Sequence, residues 1–168
     1  MKFAEYKSPC GPLLLGVHGK SICLCDWMKD DRVEKSIERI KRHLPENLCE
    51  DDESLIERAV CLLDRYFSGY SGSFGLPLAF YGTIFQQQVW KALLRVPYGE
   101  TTSYRIMAEA VGKSGGVRAV ASAIAANPIS IIVPCHRIIG SDGSLSGYAG
   151  GIEAKRFLLQ LEAARKKV

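Results

Sequence analysis

No apolar run in this chain approaches the roughly 20 residues needed to span a bilayer. Its first twelve residues, MKFAEYKSPCGP, lack the long apolar core of a secretory signal, so the chain reads as one made and kept inside the cell, with no membrane partner. No internal repeat is present, and 47% hydrophobic with 24% charged residues excludes a disordered or fibrous class. Zinc-finger and zinc-ribbon spacings are also missing. Of the six cysteines (Cys10, Cys23, Cys25, Cys49, Cys61 and Cys135), the first three lie near His18, but in none of those patterns. In an intracellular chain with a full-sized core they read as free thiols, and no metal is expected. Alternation along SICLCDW places Cys23 and Cys25 on one face of a strand, as core packing would.

What is present divides unevenly. A length of 168 residues suits one domain or two small ones packed closely. Residues 1–82 carry a net charge of −2. Residues 83–168 carry 11 Lys/Arg against 5 Asp/Glu, a net of +6, which suits an anionic partner such as nucleic acid or simply a solvated basic face.

The first half begins with two strand-like runs in GPLLLGVHGKSICLCDW, turning at His18-Gly19-Lys20. Val33, Ile37, Ile40 and Leu44 then form one apolar helical stripe, ended by Pro45. Ser54 and Glu57 read as a capping box for a helix that stops near Gly69. The Gly/Ser-rich GYSGSFG leads to a boundary near Gly82. In the second half Thr83 caps IFQQQVWKALLRV, and Phe85, Val89, Trp90, Leu93 and Leu94 make its apolar face. Ser103 caps YRIMAEAVG. Gly115-Gly116 turns into VRAVASAIAAN, and the two short helices suggest a helix-turn-helix. Apart from Arg118 and Ile124, residues 117–126 are all small or short. Such a thin helix fits a tight core, or a minor groove only about 6 Å wide with Arg118 reaching in. A last helix runs from about Ile152, with Lys166 and Lys167 suiting its C-terminal dipole.

The segment IIVPCHRIIG holds Cys135, His136 and Arg137 between aliphatic runs. Free thiols titrate near 8.5, so a nucleophilic Cys135 needs a base or cation close by. His136 and Arg137 are available. On a strand neighbouring side chains point apart, so a turn or one bridging water would be needed to connect His136 with Cys135. Glu162 or Glu153 is a candidate to orient the imidazole. On these residues alone, a buried inert cysteine is the favoured reading, because free Cys is among the most buried residue types.

The wider pattern is more specific. NPISIIVPCHRIIGSDGSLSGYAGG, with FQQQVWKALLRVPYGETTSY and RAVASAIAANP upstream and KRFLLQLE downstream, closely resembles the O6-alkylguanine-DNA alkyltransferase family over residues 83–162. SPCGPLLL and LDRYFSG resemble its N-terminal domain more loosely. The resemblance implies an α+β chain: residues 1–82 form an α/β N-terminal domain with a small sheet. Residues 83–168 form a mostly helical, winged-helix-like domain with a helix-turn-helix. It implies one irreversible transfer of an alkyl group from guanine O6 in double-stranded DNA to the Cys135 thiolate, without a cofactor, by a monomer bound through the minor groove.

The same resemblance implies roles residue by residue. His136 takes the thiol proton through water, Glu162 supports it, and Asn127 fixes the turn. Tyr104 assists departure of the base. Arg118 fills the space it leaves, with Arg137, Ala119 and Ala123 also toward DNA. Tyr148, Ala149, Gly150, Val133 and Pro134 form the base pocket. Ala149 stands where many relatives carry Ser. Some relatives bind zinc in the N-terminal domain, but Cys10, His18, Cys23 and Cys25 do not align with that site. The location implied is cytoplasmic, or nuclear in a eukaryote. Competing readings are a lesion-binding protein without transfer (against which Cys135 itself argues), a cysteine hydrolase, and a structural DNA-binding module.

Overall fold

The computed structural model describes residues 1–45 and 50–165; Cys49, Lys166 and Lys167 lie outside them. A three-stranded antiparallel meander opens the chain: β1 (Lys2–Ser8), β2 (Gly11–His18) and β3 (Ser21–Trp27), in the order β1-β2-β3. The hairpin at Gly19 is the one expected. β1 goes beyond the two expected strands; its mostly exposed, polar residues carry little hydrophobic pattern.

Alternation fails in β3. A bulge against Gly16/Val17 pairs Ile22 with Val17 and Leu24 with Gly16, leaving Cys23 as the inserted residue. Cys25 therefore joins Ile22 in the main core, while the Cys23 thiol meets the Gly16 carbonyl and the Met1 sulfur. The two cysteines do not share a face, contrary to the period-two reading.

α1 (Arg32–His43) lays Val33 and Ile40 on Leu24 in a small separate cluster, with Ile37 and Leu44 at its margin. α2 (Ser54–Phe67) packs on β1 and β2. The capping box Ser54–Glu57 does not form: Ser54 is already helical, and the Asp52 carboxylate accepts both its N–H and its hydroxyl. Asp52 thus takes the Ser54 N–H that Glu57 would have accepted, and turns the Ser54 hydroxyl into a donor.

In the second half, α3 (Ile84–Leu93) starts on the expected Thr83 cap, completed into a box by Gln86. Val89, Trp90 and Leu93 are buried, whereas Leu94 is exposed. α4 (Tyr104–Ala110), capped by Ser103, and α5 (Val117–Ala125) pack on each other and on α3 as a helix-turn-helix. A short parallel pair, β4 (Thr102–Ser103) with β5 (Ile138–Ile139), ties the start of α4 to the chain just after His136-Arg137. α6 (Ile152–Arg165) closes the fold.

The outer edge of β3, which would otherwise present unpaired backbone groups, is covered by residues 77–79 of the first half and by residues 128–130 of the second. Residues 77–79 bond to Ile22, and residues 128–130 bond to Cys25 (Cys25 N–H to the Pro128 carbonyl, 2.9 Å; Ser130 N–H to the Cys25 carbonyl, 2.6 Å). One hydrophobic cluster, from Tyr6 and Leu13 to Leu158, runs through both halves. Among the described residues no helix is long and apolar enough to cross a membrane.

Candidate active site

From Pro128 to Arg137 the chain makes successive tight turns, in place of the extended run that aliphatic residues suggest. The Val133 N–H bonds to the Ile129 carbonyl, Cys135 N–H to that of Val133, and Arg137 N–H to that of Pro134, closing a 3₁₀ turn over Cys135–Arg137. Ile131 sits at φ +69°, a left-handed conformation that is costly for a β-branched residue. Full burial of Ile131, Ile132, Val133 and Ile138 holds the turn against that cost.

Asn127 binds the turn from inside. It is completely buried, its Oδ1 accepts the Ile129 N–H, and its Nδ2 donates to the Val133 carbonyl (3.0 Å) and to Cys135 Sγ (3.2 Å). Burial pushes the Cys135 thiol up in pKa; the Asn127 amide, then the charges of Arg32 and Lys155, pull it down.

His136 is completely buried beside Glu162. Its Nε2 donates to Glu162 Oε1 at 2.7 Å, while Nδ1 has no hydrogen-bond partner among the described residues. The Glu162 carboxylate accepts five donors: His136 Nε2, Tyr66 Oη (2.8 Å), Arg137 Nε (2.9 Å) and Nη2 (3.0 Å), and the Gly99 N–H (3.1 Å). Burial raises its pKa, but the bonds from His136 and Arg137 outweigh that and hold it down at about 2. Burial also lowers the pKa of His136, against the pull of Glu162. The resting pair is therefore a carboxylate and a neutral imidazole protonated on Nε2, with a lone pair on Nδ1. Glu153, the other candidate, is exposed on α6 and paired with Arg156.

Cys135 borders a tight cleft lined by Tyr104, Ile124, Ala125, Gly147, Tyr148, Ala149 and Lys155. The Tyr104 hydroxyl and the buried Lys155 ammonium both donate to the Ser146 carbonyl, and Lys155 also donates to that of Ile138, which pins the 140–151 loop over the cleft. Burial lowers the pKa of Lys155 and raises that of Tyr104. A shallower concavity shares Tyr104, Ala125 and Gly147 with this cleft and adds Val117, Arg118, Ala121 and Ser146, so Arg118 stands beside its mouth.

Several expected site residues lie elsewhere. Arg137, expected toward DNA, is buried with its guanidinium committed to Glu162 and the Val96 carbonyl (2.7 Å). Ala123, also expected toward DNA, faces the core and its carbonyl takes the Trp90 indole N–H. Helical phase explains this: Arg118, Ala119, Ser122 and Ala125 form the exposed face of α5, and Val120, Ala123 and Ile124 the buried one. Val133 and Pro134 do not line the cleft; Val133 is core, and Pro134 borders a separate hollow with Tyr98. Gly150 lies behind the pocket wall, where a Cβ would come within 2.6 Å of the Trp27 ring.

Lys155, Tyr66 and the pairing of buried Asp26 with half-buried Arg32 were not expected. Lys155 and Glu162 stand seven residues apart on the buried stripe of α6 with Ala154 and Leu158, and two charges on an otherwise apolar stripe were a readable signal. Asp26 accepts from Arg32 Nε (2.7 Å) and Ser36 (2.7 Å). Arg32 also donates to the carbonyls of Ala125 (3.0 Å) and Asn127 (2.9 Å), and Arg39 to that of Ala126. Cys10, His18, Cys23 and Cys25 occupy separate surroundings: His18 faces Asp51 and Tyr81, and Cys10 lies beside Ser8.

A small meander joined to a helix-turn-helix half around a buried Cys–His–Glu constellation defines a DNA-binding protein class built on a protected thiol. Residues 84–164 match the 6-O-methylguanine DNA methyltransferase DNA-binding domain, and residues 1–80 match the ribonuclease-like domain of the same name. The chain belongs to the methylated-DNA–protein-cysteine methyltransferase family. Its relatives of that name include a Methanosarcina barkeri protein, 46% identical across 96% of this chain and 97% of its own. Another, from Mycobacterium leprae, is 49% identical across 92% and 88%. The crystal structure of Mycobacterium tuberculosis O6-methylguanine methyltransferase superposes with a TM-score of 0.81 at 42% identity, covering 97% of this chain and 93% of that one. The same protein in complex with DNA superposes at 0.80.

Proposed function

We propose that the chain repairs alkylated DNA by moving an alkyl group from guanine O6 to the Cys135 sulfur, once per molecule. The observation that carries this reading is the Cys135 thiol itself. It lies in a cleft under the Asn127 amide, next to a neutral His136 whose Nε2–H is held by an ionised Glu162, in a chain of this family. His136 Nδ1 accepts the thiol proton through a water, the thiolate attacks the alkyl carbon, and the C–O6 bond breaks with its electron pair passing to the guanine. A sulfur–carbon bond replaces it, so no cofactor is consumed and nothing regenerates the thiol.

An O6 adduct inside a duplex is out of reach of a buried thiol, so the nucleotide must turn out into the cleft. Arg118 at the mouth is placed to fill the gap, which offsets part of the few kcal/mol lost on unstacking. The small residues of the exposed face of α5 suit close approach to the minor groove. Phosphate contacts dominate such binding and are blind to sequence, which fits damage that arises anywhere. Tyr104, in the cleft wall, is positioned to assist departure of the base, and Tyr148 and Ala149 to flank it. In this reading the chain acts as a monomer inside the cell, with residues 1–82 supporting the site and residues 83–168 carrying DNA contact and transfer.

The test is to mix the protein with a duplex carrying O6-methylguanine and weigh its peptides. The expected result is one added methyl on the Cys135 peptide, at no more than one per protein, with Cys135→Ala binding DNA and accepting none. Intact damaged DNA with unmodified Cys135 would overturn the reading, and repeated turnover would favour a hydrolase.

A further inference from the structure

We infer that Tyr66, on α2 in the N-terminal half, is a positioning residue that sets the basicity of His136 by sharing its Glu162 oxygen. The inference rests on the proposed role of His136 as the base for Cys135. The Tyr66 hydroxyl donates to Glu162 Oε1 at 2.8 Å, the same oxygen that receives His136 Nε2 at 2.7 Å, and it stands 3.5 Å from Nε2 itself. All three groups are buried (Tyr66 2%, His136 0% and Glu162 1% exposed), so no solvent screens the competition.

Burial and the Glu162 charge keep the Tyr66 phenol protonated throughout the working range, so it always donates. The ring cannot swing away: Phe67 and Tyr98 meet it edge-on at 5.3 and 6.1 Å, and Phe74 lies 5.7 Å away.

A carboxylate oxygen already neutralised in part by a phenol holds an imidazolium less tightly. Tyr66 thus keeps His136 neutral, with Nδ1 free to take the thiol proton. The other groups facing the imidazole work as a set: Glu162 favours its charged form, Arg137 and Lys155 disfavour it, and the uncharged Tyr148 ring packs at 6.4 Å. Removing the Tyr66 donor leaves the carboxylate more basic and raises the pKa of His136. Transfer needs the neutral imidazole, so the acid limb of the rate profile must move to higher pH.

The experiment measures single-turnover methyl transfer from an O6-methylguanine duplex across pH 5–9 with the full chain, Tyr66→Phe, and a chain carrying 3,5-difluorotyrosine at position 66. Phe keeps the ring packing and removes the donor; fluorination makes it a stronger donor. Expected for Tyr66→Phe is a several-fold slower transfer near pH 6, a rate at pH 8.5 equal to the unsubstituted chain, and an acid limb shifted upward. The fluorinated chain shifts it downward. A uniform loss at every pH, or an unmoved limb in both proteins, overturns the inference. If Tyr66→Phe fails to fold, the fluorinated chain decides alone. NMR titration of the His136 imidazole reads the same shift without any transfer, so an inactive unsubstituted chain would sink the proposed function and leave this inference testable.

Discussion

At the scale of single residues, the site turns on one carboxylate. Glu162 serves Arg137, His136, Tyr66 and Gly99 together, so replacing its charge leaves a buried guanidinium without a counter-ion. Glu162→Gln is expected to destabilise the fold by about 3–5 kcal/mol, measured by urea denaturation at pH 7. The same residue sets a pH dependence. Its folded pKa of about 2 lies below the ordinary 4.5, so the folded state binds this proton later than the unfolded chain does. It contributes on the order of 3 kcal/mol above pH 4.5, lost progressively as pH falls toward 2. His136, also depressed in the fold, adds a loss that begins as pH falls through 6.5. Denaturation midpoints should therefore decline from near neutrality downward; a profile flat between pH 7 and 3 would contradict this arrangement.

At the scale of elements, the legibility of the sequence varied with the kind of signal. Thr83 and Ser103 were readable as caps because a cap is local, and both form. The Ser54 cap was readable too, yet Asp52 took its place because two acceptors lay within reach of one helix start. Residues 131–133 read as extended because β-branched residues favour strands; their tight turns are imposed by Asn127 and by the β3 edge at Cys25, which no local pattern encodes. Thr83→Ala is expected to cost about 1 kcal/mol, read by thermal unfolding. Arg32→Ala removes the link from α1 to the C-terminal carbonyls of α5 and strands the buried Asp26. A loss of about 3 kcal/mol is expected in the same measurement.

At the scale of the whole molecule, the two halves are mutually dependent despite the clear change of composition near residue 82. Their cores are continuous, and Asp26–Arg32 and Tyr66 reach the site from the first half. A fragment of residues 83–168 would expose the face that packs on β3 and α2, and is expected to show no cooperative unfolding transition by calorimetry. A sharp transition with methyl transfer intact would refute the dependence.

The sequence by itself determined the chemistry on offer. It placed a Cys-His-Arg run after Asn-Pro and a thin helix carrying one arginine, and put Glu162 on the last helix. Resemblance to a family made these intelligible as one site. It also settled most helix starts, because caps and apolar stripes are written within a few residues of one another. Only the tertiary structure decided which charges face inward. Arg137 looks like a cation turned toward DNA in sequence, and it is buried because Glu162 and the Val96 carbonyl accept its donors. Only packing could show that a tyrosine 70 residues before His136 shares its carboxylate. Such contacts depend on how elements stack, and a linear pattern has period and polarity but no neighbour across the core.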